Sequence, residues 1–192
     1  MTIDEFWDLV EQCNDEEYPD DKAKELLYQC SPDEILEFGC FLELLQCYAY
    51  RSDIQCAAHM LCDASADDRF EYFLRGLIAM GRDVFDSAIT NADTLHVLWG
   101  CDDIENEEFG WVARKVYAKK LDVDLGIAFS LIDEKFEKKE KELFLKQGNI
   151  YKRQELPYWD FDDEKANRKN LPILSSLYYA KSIAITDEQK GK

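Results

Sequence analysis

The sequence predicts an all-α, single-domain multi-helix bundle of roughly seven to nine helices. Three observations lead to this expectation: apolar residues recur at helical spacing along most of the chain, helix caps precede several of these stretches, and no stretch alternates as a β-strand would. The chain has 192 residues, of which 46 % are hydrophobic, and this is enough for one buried core.

The first helix is predicted by a capping box at Thr2-Ile3-Asp4-Glu5, in which the threonine hydroxyl and the Glu5 carboxylate satisfy each other's backbone amides. Apolar residues follow at helical spacing from Ile3 to Cys13. We expect Pro19 and the acids around it to close this helix, and a short amphipathic segment to follow at Ala23 to Cys30.

A second capping box, Ser31-Pro32-Asp33-Glu34, predicts a helix from Pro32 to about Tyr50. Its apolar residues cover more than half of its circumference, so we expect it at the centre of the bundle. The same periodicity predicts further helices at Asp53 to Cys62, Asp67 to Met80, Asp83 to Ile89, Asp93 to Trp99 and Asn106 to Leu121. Ser65 is expected to cap the helix at Asp67 to Met80.

The chain divides by composition into three parts of one domain. Residues 1–123 form an acidic helical core, and residues 124–150 form a charged helical elaboration that projects from the core or lies on its surface. Residues 151–180 are expected to pack on the core as C-terminal helices, one of them at Asp160 to Asn170, with a break or new start at Pro172.

Charge limits the possible partners. The net charge is −18, and residues 1–110 hold 27 Asp and Glu against 6 Lys and Arg, whereas residues 111–192 hold 14 against 17. Such a chain repels nucleic acid and attracts a basic protein partner. The absence of a long apolar stretch and the acidic first residues predict a cytoplasmic protein without a membrane segment, and the oligomeric state stays open.

No strong catalytic or cofactor motif is present, so we expect no cofactor and no metal. The seven cysteines lack the close pairs of disulfide or zinc frameworks and are interpreted as reduced core thiols. Cys56, His59 and Cys62 share a helical face and could in principle hold a metal, but small thiols that pack inward explain them better.

The arginines allow two interpretations. Arg51, Asp53, Arg75 and Arg82 could surround an anion-binding pocket, because guanidinium groups bind anions through paired hydrogen bonds. The simpler interpretation, which we favour, is that these arginines form structural ion pairs with nearby acids.

Acidic residues supply the candidates for partner binding. These are surface carboxylates in doublets or short runs, which could instead be solvated helix faces: Asp67, Asp68, Asp102, Asp103, Glu105, Glu107 and Glu108.

Several stretches resemble the bacterial family called domain of unknown function 4240. They are MTIDEFWDLV, AYRSDIQCAA, FEYFLRGLIAMGRDVF, NEEFGWVARKVY and YWDFDDEKANRKNLPILSSLY, in this order along nearly the whole chain. The resemblance implies membership of that family and supplies no catalytic residues.

Three functional hypotheses follow from the sequence. The first is an acidic protein-binding module, such as an immunity or antitoxin-like inhibitor of a basic toxin. The second is an enzyme or small-anion-binding protein with an Arg-lined pocket, and the third is an accessory adaptor that acts through other proteins.

Overall fold

The computed structural model describes residues 1–14, 16–64, 66–101, 104–146 and 157–190. Helices form the regular secondary structure of these residues. The side chains of residues 67, 141–146 and 182–190 lie outside this description. The described residues contain no β-strand, which confirms the all-α class, although the helices outnumber the expected seven to nine. None of these helices combines the length and the apolarity that crossing a lipid bilayer requires.

The elements follow one another in chain order. The α-helices are α1 (Ile3–Glu11), α2 (Pro19–Gln29), α3 (Pro32–Ala49), α4 (Ser52–Cys62), α5 (Asp67–Ala79), α6 (Arg82–Thr90), α7 (Val112–Leu121), α8 (Leu125–Lys146), α9 (Glu164–Asn170) and α10 (Pro172–Lys190). Two 3-10 helices, Ala92–Leu98 and Glu108–Trp111, lie between α6 and α7.

Both predicted capping boxes are confirmed. At the start of α1, the Thr2 hydroxyl oxygen accepts from the Glu5 amide at 3.2 Å, and the Thr2 amide donates to the Glu5 carboxylate at 2.6 Å. The same reciprocal pair joins Ser31 and Glu34 before α3. These hydrogen bonds favour the ionised acids and lower the pKa of each glutamate. The cap expected at Ser65 falls outside the described residues.

The helix α3 lies at the centre, as predicted. It contacts α1, α5, α7 and α8, and its buried side chains face all of them. Phe38 is fully enclosed, with its ring centroid 4.7 Å from that of Phe6 on α1 and 6.4 Å from that of Phe109. Because neighbours surround it on several sides, α3 has apolar residues over most of its circumference.

Three local expectations were wrong in detail. The helix α1 already ends at Glu11, and Pro19 is the first residue of α2 instead of the end of α1. A proline lacks only an amide that the first turn of a helix leaves unbonded, so it can begin a helix as well as stop one. The segment Asp93 to Trp99 forms a 3-10 helix, and Asn106 to Leu121 is divided between a 3-10 helix and α7.

The charged helix α8 lies along α3. Ala128 and Ile132 in its first half are fully buried. Farther along, Lys135 and Lys139 form ion pairs with Glu37 of α3, and the Lys135 pair has an N–O distance of 3.0 Å. Apolar burial therefore holds the first half of α8, while ion pairs hold the part that follows.

The C-terminal helices are attached through the buried side chain of Asn167 on α9. Its amide nitrogen donates to the Tyr179 hydroxyl of α10 at 2.8 Å and to the Phe161 carbonyl at 2.6 Å. Its amide oxygen accepts from the Trp159 indole at 2.8 Å and from the Cys56 thiol of α4 at 3.4 Å. One buried amide thus links α9 and α10 to α4 with its hydrogen-bonding capacity filled.

Candidate functional site: an acidic groove

A groove of about 580 Å³ opens between the α1–α2 connection, the C-terminal end of α5 and the segment before the second 3-10 helix. We call it the acidic groove because, among the described residues that line it, six are carboxylates and none is a lysine, arginine or histidine. It is lined by Asn14, Glu16, Glu17, Tyr18, Pro19, Asp20, Gly76, Ala79, Met80, Ile104, Glu105, Asn106, Glu107 and Glu108.

A close backbone contact builds one wall of the acidic groove. The chain crosses α5 at Gly76, where a Cβ atom would overlap the carbonyl oxygen of Ile104. The Asn106 amide then donates to the Tyr72 carbonyl at 2.9 Å, which fixes the crossing segment on α5. The Asn106 side chain accepts from the Phe109 amide at 2.9 Å and so begins the 3-10 helix. Glycine at position 76 is therefore required for this wall to lie where it does.

The opposite wall comes from the α1–α2 connection. Pro19 begins α2, and the two residues before Tyr18 are exposed glutamates, Glu16 and Glu17. The Tyr18 side chain is 62 % exposed at the rim of the groove. An exposed aromatic ring beside carboxylates suits contact with a cationic side chain, since a guanidinium or ammonium group can lie over its face.

Among the described residues, three of the six carboxylates of the acidic groove pair with cations. Arg69 binds Glu105 through both carboxylate oxygens, at 3.1 and 2.5 Å. Lys115 pairs with Glu108, and Lys24 pairs with Asp20 at 2.7 Å.

The other three carboxylates of the groove have no such counter-charge among the described residues. Glu16, Glu17 and Glu107 form no ion pair with any residue in the described part of the chain. Glu107 lies near Tyr72: desolvation raises the pKa of the Tyr72 hydroxyl, and the charge of Glu107 adds to this shift.

The structure brings together part of the predicted acidic set. Glu105, Glu107 and Glu108 line the groove, whereas Asp68 is exposed on α5 outside the lining. Asp102, Asp103 and the side chain of Asp67 lie outside the described residues.

Sequence reasoning missed Glu16, Glu17 and Asp20 because they were interpreted as acids that close α1. The acidic run around Pro19 was visible, but its proximity to residues some ninety positions later was not.

The predicted anion pocket of Arg51, Asp53, Arg75 and Arg82 is not assembled. Arg51 is buried, binds Asp53 through two nitrogens at 3.0 and 2.5 Å, and donates to the Ile89 carbonyl at 2.6 Å. This arrangement ties the start of α4 to the end of α6.

The other two arginines have partner sets of their own. Arg82 reaches Asp4 at 2.8 Å and Asp86 at 3.4 Å. Arg75 binds Glu71 at 3.0 Å and lines a smaller cavity that neither Arg51 nor Arg82 lines. Each arginine therefore neutralises nearby carboxylates, as the structural interpretation predicts.

The cysteines form no disulfide. Cys13, Cys40 and Cys56 are buried as expected, but Cys47 and Cys101 are exposed, so the prediction that the cysteines are core thiols was wrong for these two. Desolvation raises the pKa of Cys56 to about 12.

The residues considered for a metal have other partners. Cys56 donates to Asn167, the Cys62 thiol donates to the Ala58 carbonyl at 3.5 Å, and the His59 ring lies 6.2 Å from that of Phe161. The described residues contain no group of three or more His, Cys, Asp and Glu that could hold a metal ion.

Fold and site together define an all-α protein with an acidic groove, which is built by the α1–α2 connection, the C-terminal end of α5 and the segment before the second 3-10 helix. The chain belongs to the family described as "Protein of unknown function (DUF4240)", whose profile matches residues 1–119. The matched range includes both walls of the acidic groove, and α8, α9 and α10 follow it. No curated protein and no solved structure matches the chain.

Proposed function

We propose that this protein binds a basic protein partner through the acidic groove, as an immunity or antitoxin-like inhibitor covers a cationic toxin. One observation carries the proposal: six carboxylates of the described residues line a groove of about 580 Å³, and three of them, Glu16, Glu17 and Glu107, form no ion pair within the described part of the chain. Carboxylates held near one another repel, and a partner that supplies lysine or arginine relieves the repulsion.

The charge of the whole chain supports the same partner chemistry. With a net charge of −18, the protein attracts a basic partner from beyond the groove and speeds their encounter. Such steering weakens at high salt, because the Debye length falls from about 10 Å at 0.1 M salt to about 3 Å at 1 M. Binding through the groove should therefore be strongly salt-dependent.

The groove also offers apolar contacts to a partner. Met80 in its lining is partly buried, and the Tyr18 ring is 62 % exposed. Interfaces commonly combine an apolar centre with charged groups at the edge, and tyrosine and arginine are frequent energetic anchors. This combination fits a partner that inserts a basic side chain with a long apolar stem.

The contacts of Arg51 and Arg82 support this proposal over an anion pocket that the predicted arginines would share. Arg51 and Arg82 are engaged by acids of this chain, and the acidic groove would repel an anion. The alternative is an accessory adaptor. It differs from the inhibitor hypothesis in that its partner would be neither a toxin nor encoded beside this gene.

The test begins with recovery of the partner from the protein's own cells by cross-linking and mass spectrometry. The recovered protein is then purified, and its affinity is measured for the wild type and for a groove variant with Glu16→Gln, Glu17→Gln and Glu107→Gln. A matched control variant carries Asp8→Asn, Asp133→Asn and Asp162→Asn, which remove the same charge from exposed positions outside the groove lining.

We expect a basic partner whose affinity for the groove variant falls by roughly threefold to a hundredfold, since each of the three exposed charges contributes about 0.2–1 kcal/mol. The control variant should change the affinity by no more than about twofold, through general steering alone. Recovery of only acidic or neutral proteins, or equal losses in the two variants, would show that the groove is not the docking site.

A growth assay tests the finer inhibitor hypothesis. If a gene beside this one encodes a basic toxin, co-expression of the wild type should restore growth, and the groove variant should restore less. A neighbourhood without any such gene would contradict the inhibitor function while leaving binding to a basic partner intact.

A further inference from the structure

A second cavity, independent of the acidic groove, lies between α3 and α5. It has a volume of about 190 Å³ and is lined by Glu43, Gln46, Cys47, Tyr50, Glu71, Leu74 and Arg75. Unlike the acidic groove, it combines a guanidinium group with carboxylates, so it presents both signs of charge to a ligand.

Arg75 is held in a fixed position beside this cavity. Its Nε donates to the Gln46 side-chain oxygen at 3.1 Å, and its Nη2 donates to Glu71 at 3.0 Å. The guanidinium carbon lies 5.6 Å from the centre of the Tyr72 ring, and Gly110 leaves space where any Cβ atom would overlap the guanidinium. The arginine side chain is 13 % exposed. Because the guanidinium is already fixed, little further side-chain entropy is lost when a ligand binds to it.

Arg75 retains donor capacity, because its Nη1 makes no hydrogen bond with a residue that the structure describes. The two carboxylates retain acceptor capacity. Glu43 uses Oε1 for Arg114, at 2.5 Å, and Glu71 uses Oε2 for Arg75, so in each the second oxygen has no partner among the described residues. The cavity therefore offers one cationic donor and two anionic acceptors.

We propose that this cavity binds a small zwitterion of amino-acid size, with its carboxylate at Arg75 and its ammonium group between Glu43 and Glu71. The charges of Glu43, Glu71, Arg75 and Arg114 cancel, so a ligand without net charge adds no repulsion. Phosphate or a dicarboxylate would meet both glutamates and a protein of net charge −18. A simple cation would instead meet the guanidinium.

The experiment uses the full chain labelled with ¹⁵N and follows amide shifts during titration with a mixture of the twenty L-amino acids and then with each one singly. For any amino acid that binds, its amide, its N-acetyl derivative and inorganic phosphate are titrated as comparison probes. The variants are Arg75→Met, Glu71→Gln at a half-exposed carboxylate, and Arg168→Met as the control, since Arg168 is exposed on α9 and does not line the cavity.

We expect saturable shifts centred on α3 and α5 for at least one amino acid, and weaker binding of the derivatives that lack the carboxylate or the ammonium charge. Arg75→Met should weaken binding by about tenfold or more and Glu71→Gln by about threefold or more, because a charged hydrogen bond contributes about 1.5–3 kcal/mol and an exposed charge less. Arg168→Met should leave the affinity unchanged.

Three results would overturn the inference. The first is the absence of saturable shifts from any amino acid up to about 10 mM, a concentration about ten times the Kd of a site as weak as 1 mM. The second is tighter binding of phosphate than of any amino acid. The third is binding that Glu71→Gln and Arg75→Met leave unchanged while their spectra show an intact fold.

Discussion

Replacement of Asp93 by alanine should destabilise the protein and release the start of α10. Asp93 is 4 % exposed, and its carboxylate accepts from the Ile173 amide at 3.1 and 3.0 Å and from the Leu174 amide at 2.9 Å. The residue before α10 is Leu171, whose side chain cannot accept a hydrogen bond. Asp93 therefore supplies the cap that the helix lacks locally.

The magnitude follows from the two amides that lose their partner. Loss of a helix cap costs about 0.5–2 kcal/mol, and a buried donor left without a partner costs about 1–3 kcal/mol. We expect Asp93→Ala to lower the free energy of unfolding by about 2–4 kcal/mol. Asp93→Asn keeps one acceptor oxygen, so it should cost about 1 kcal/mol.

Urea denaturation measures this loss, and hydrogen exchange at the Ile173 and Leu174 amides locates it. Asp83→Ala is the matched control, because Asp83 is an exposed acid in the first turn of α6, where only the helix dipole is affected, by about 0.3–1 kcal/mol. An Asp93→Ala protein as stable as this control, or one whose two amides exchange no faster than in the wild type, would refute the capping argument.

Three further predictions concern Gly76, Asn167 and the cysteines. Gly76→Ala should destabilise the protein by about 3 kcal/mol or more in urea denaturation, because the new methyl group meets backbone; a smaller loss would mean that the crossing segment can move aside. Asn167→Ala should lower the free energy of unfolding by about 2–4 kcal/mol in the same assay, since it leaves the buried partners of Asn167 unbonded. The control Asn170→Ala, at the exposed end of α9, should cost under about 1 kcal/mol. Similar losses in the two variants would contradict the role of the Asn167 hydrogen bonds. Alkylation of the native protein near pH 8 should modify Cys47 and Cys101 rapidly and the buried thiols only on unfolding, because burial keeps the buried thiols protonated as well as inaccessible; rapid modification of all seven would refute the burial pattern.

The helix starts that the sequence predicted best are those whose capping partners lie within one turn. Thr2 with Glu5 and Ser31 with Glu34 form the expected reciprocal hydrogen bonds because three residues of separation bring the groups together in any helix start. The cap of α10 could not be predicted in this way. Asp93 lies some eighty residues before the amides it accepts from, so only the packing of the first 3-10 helix against α10 brings them together.

The acidic groove shows the same limit at the candidate site. Composition located the acidity in residues 1–110, but Glu16 and Glu107 meet at one groove only because Gly76 lets the later segment cross α5. For the arginines, the kind of interaction could be predicted from the sequence, but the particular partners could not. The preference of guanidinium groups for carboxylates favoured ion pairs, yet the Ile89 carbonyl as a partner of Arg51 follows from the packing of α6 against its neighbours.

The C-terminal cations determine where the acidity of the first half stays uncompensated. On α8, Lys135 neutralises acids of α3, and on α7, Lys120 donates to the Tyr28 and Cys30 carbonyls at the end of α2. In the described part of the chain, these two lysines therefore act away from the acidic groove, and Lys115 of α7 pairs there with Glu108.

Carboxylates kept together without a counter-charge destabilise the free protein through mutual repulsion. If the groove serves partner binding, the groove variant should gain stability by a few tenths of a kcal/mol per relieved pair while it loses affinity for the partner. Acids that serve solubility alone are spread apart, so their removal from the control positions should bring no such gain. Opposite changes in stability and affinity would therefore distinguish a binding surface from a merely acidic one.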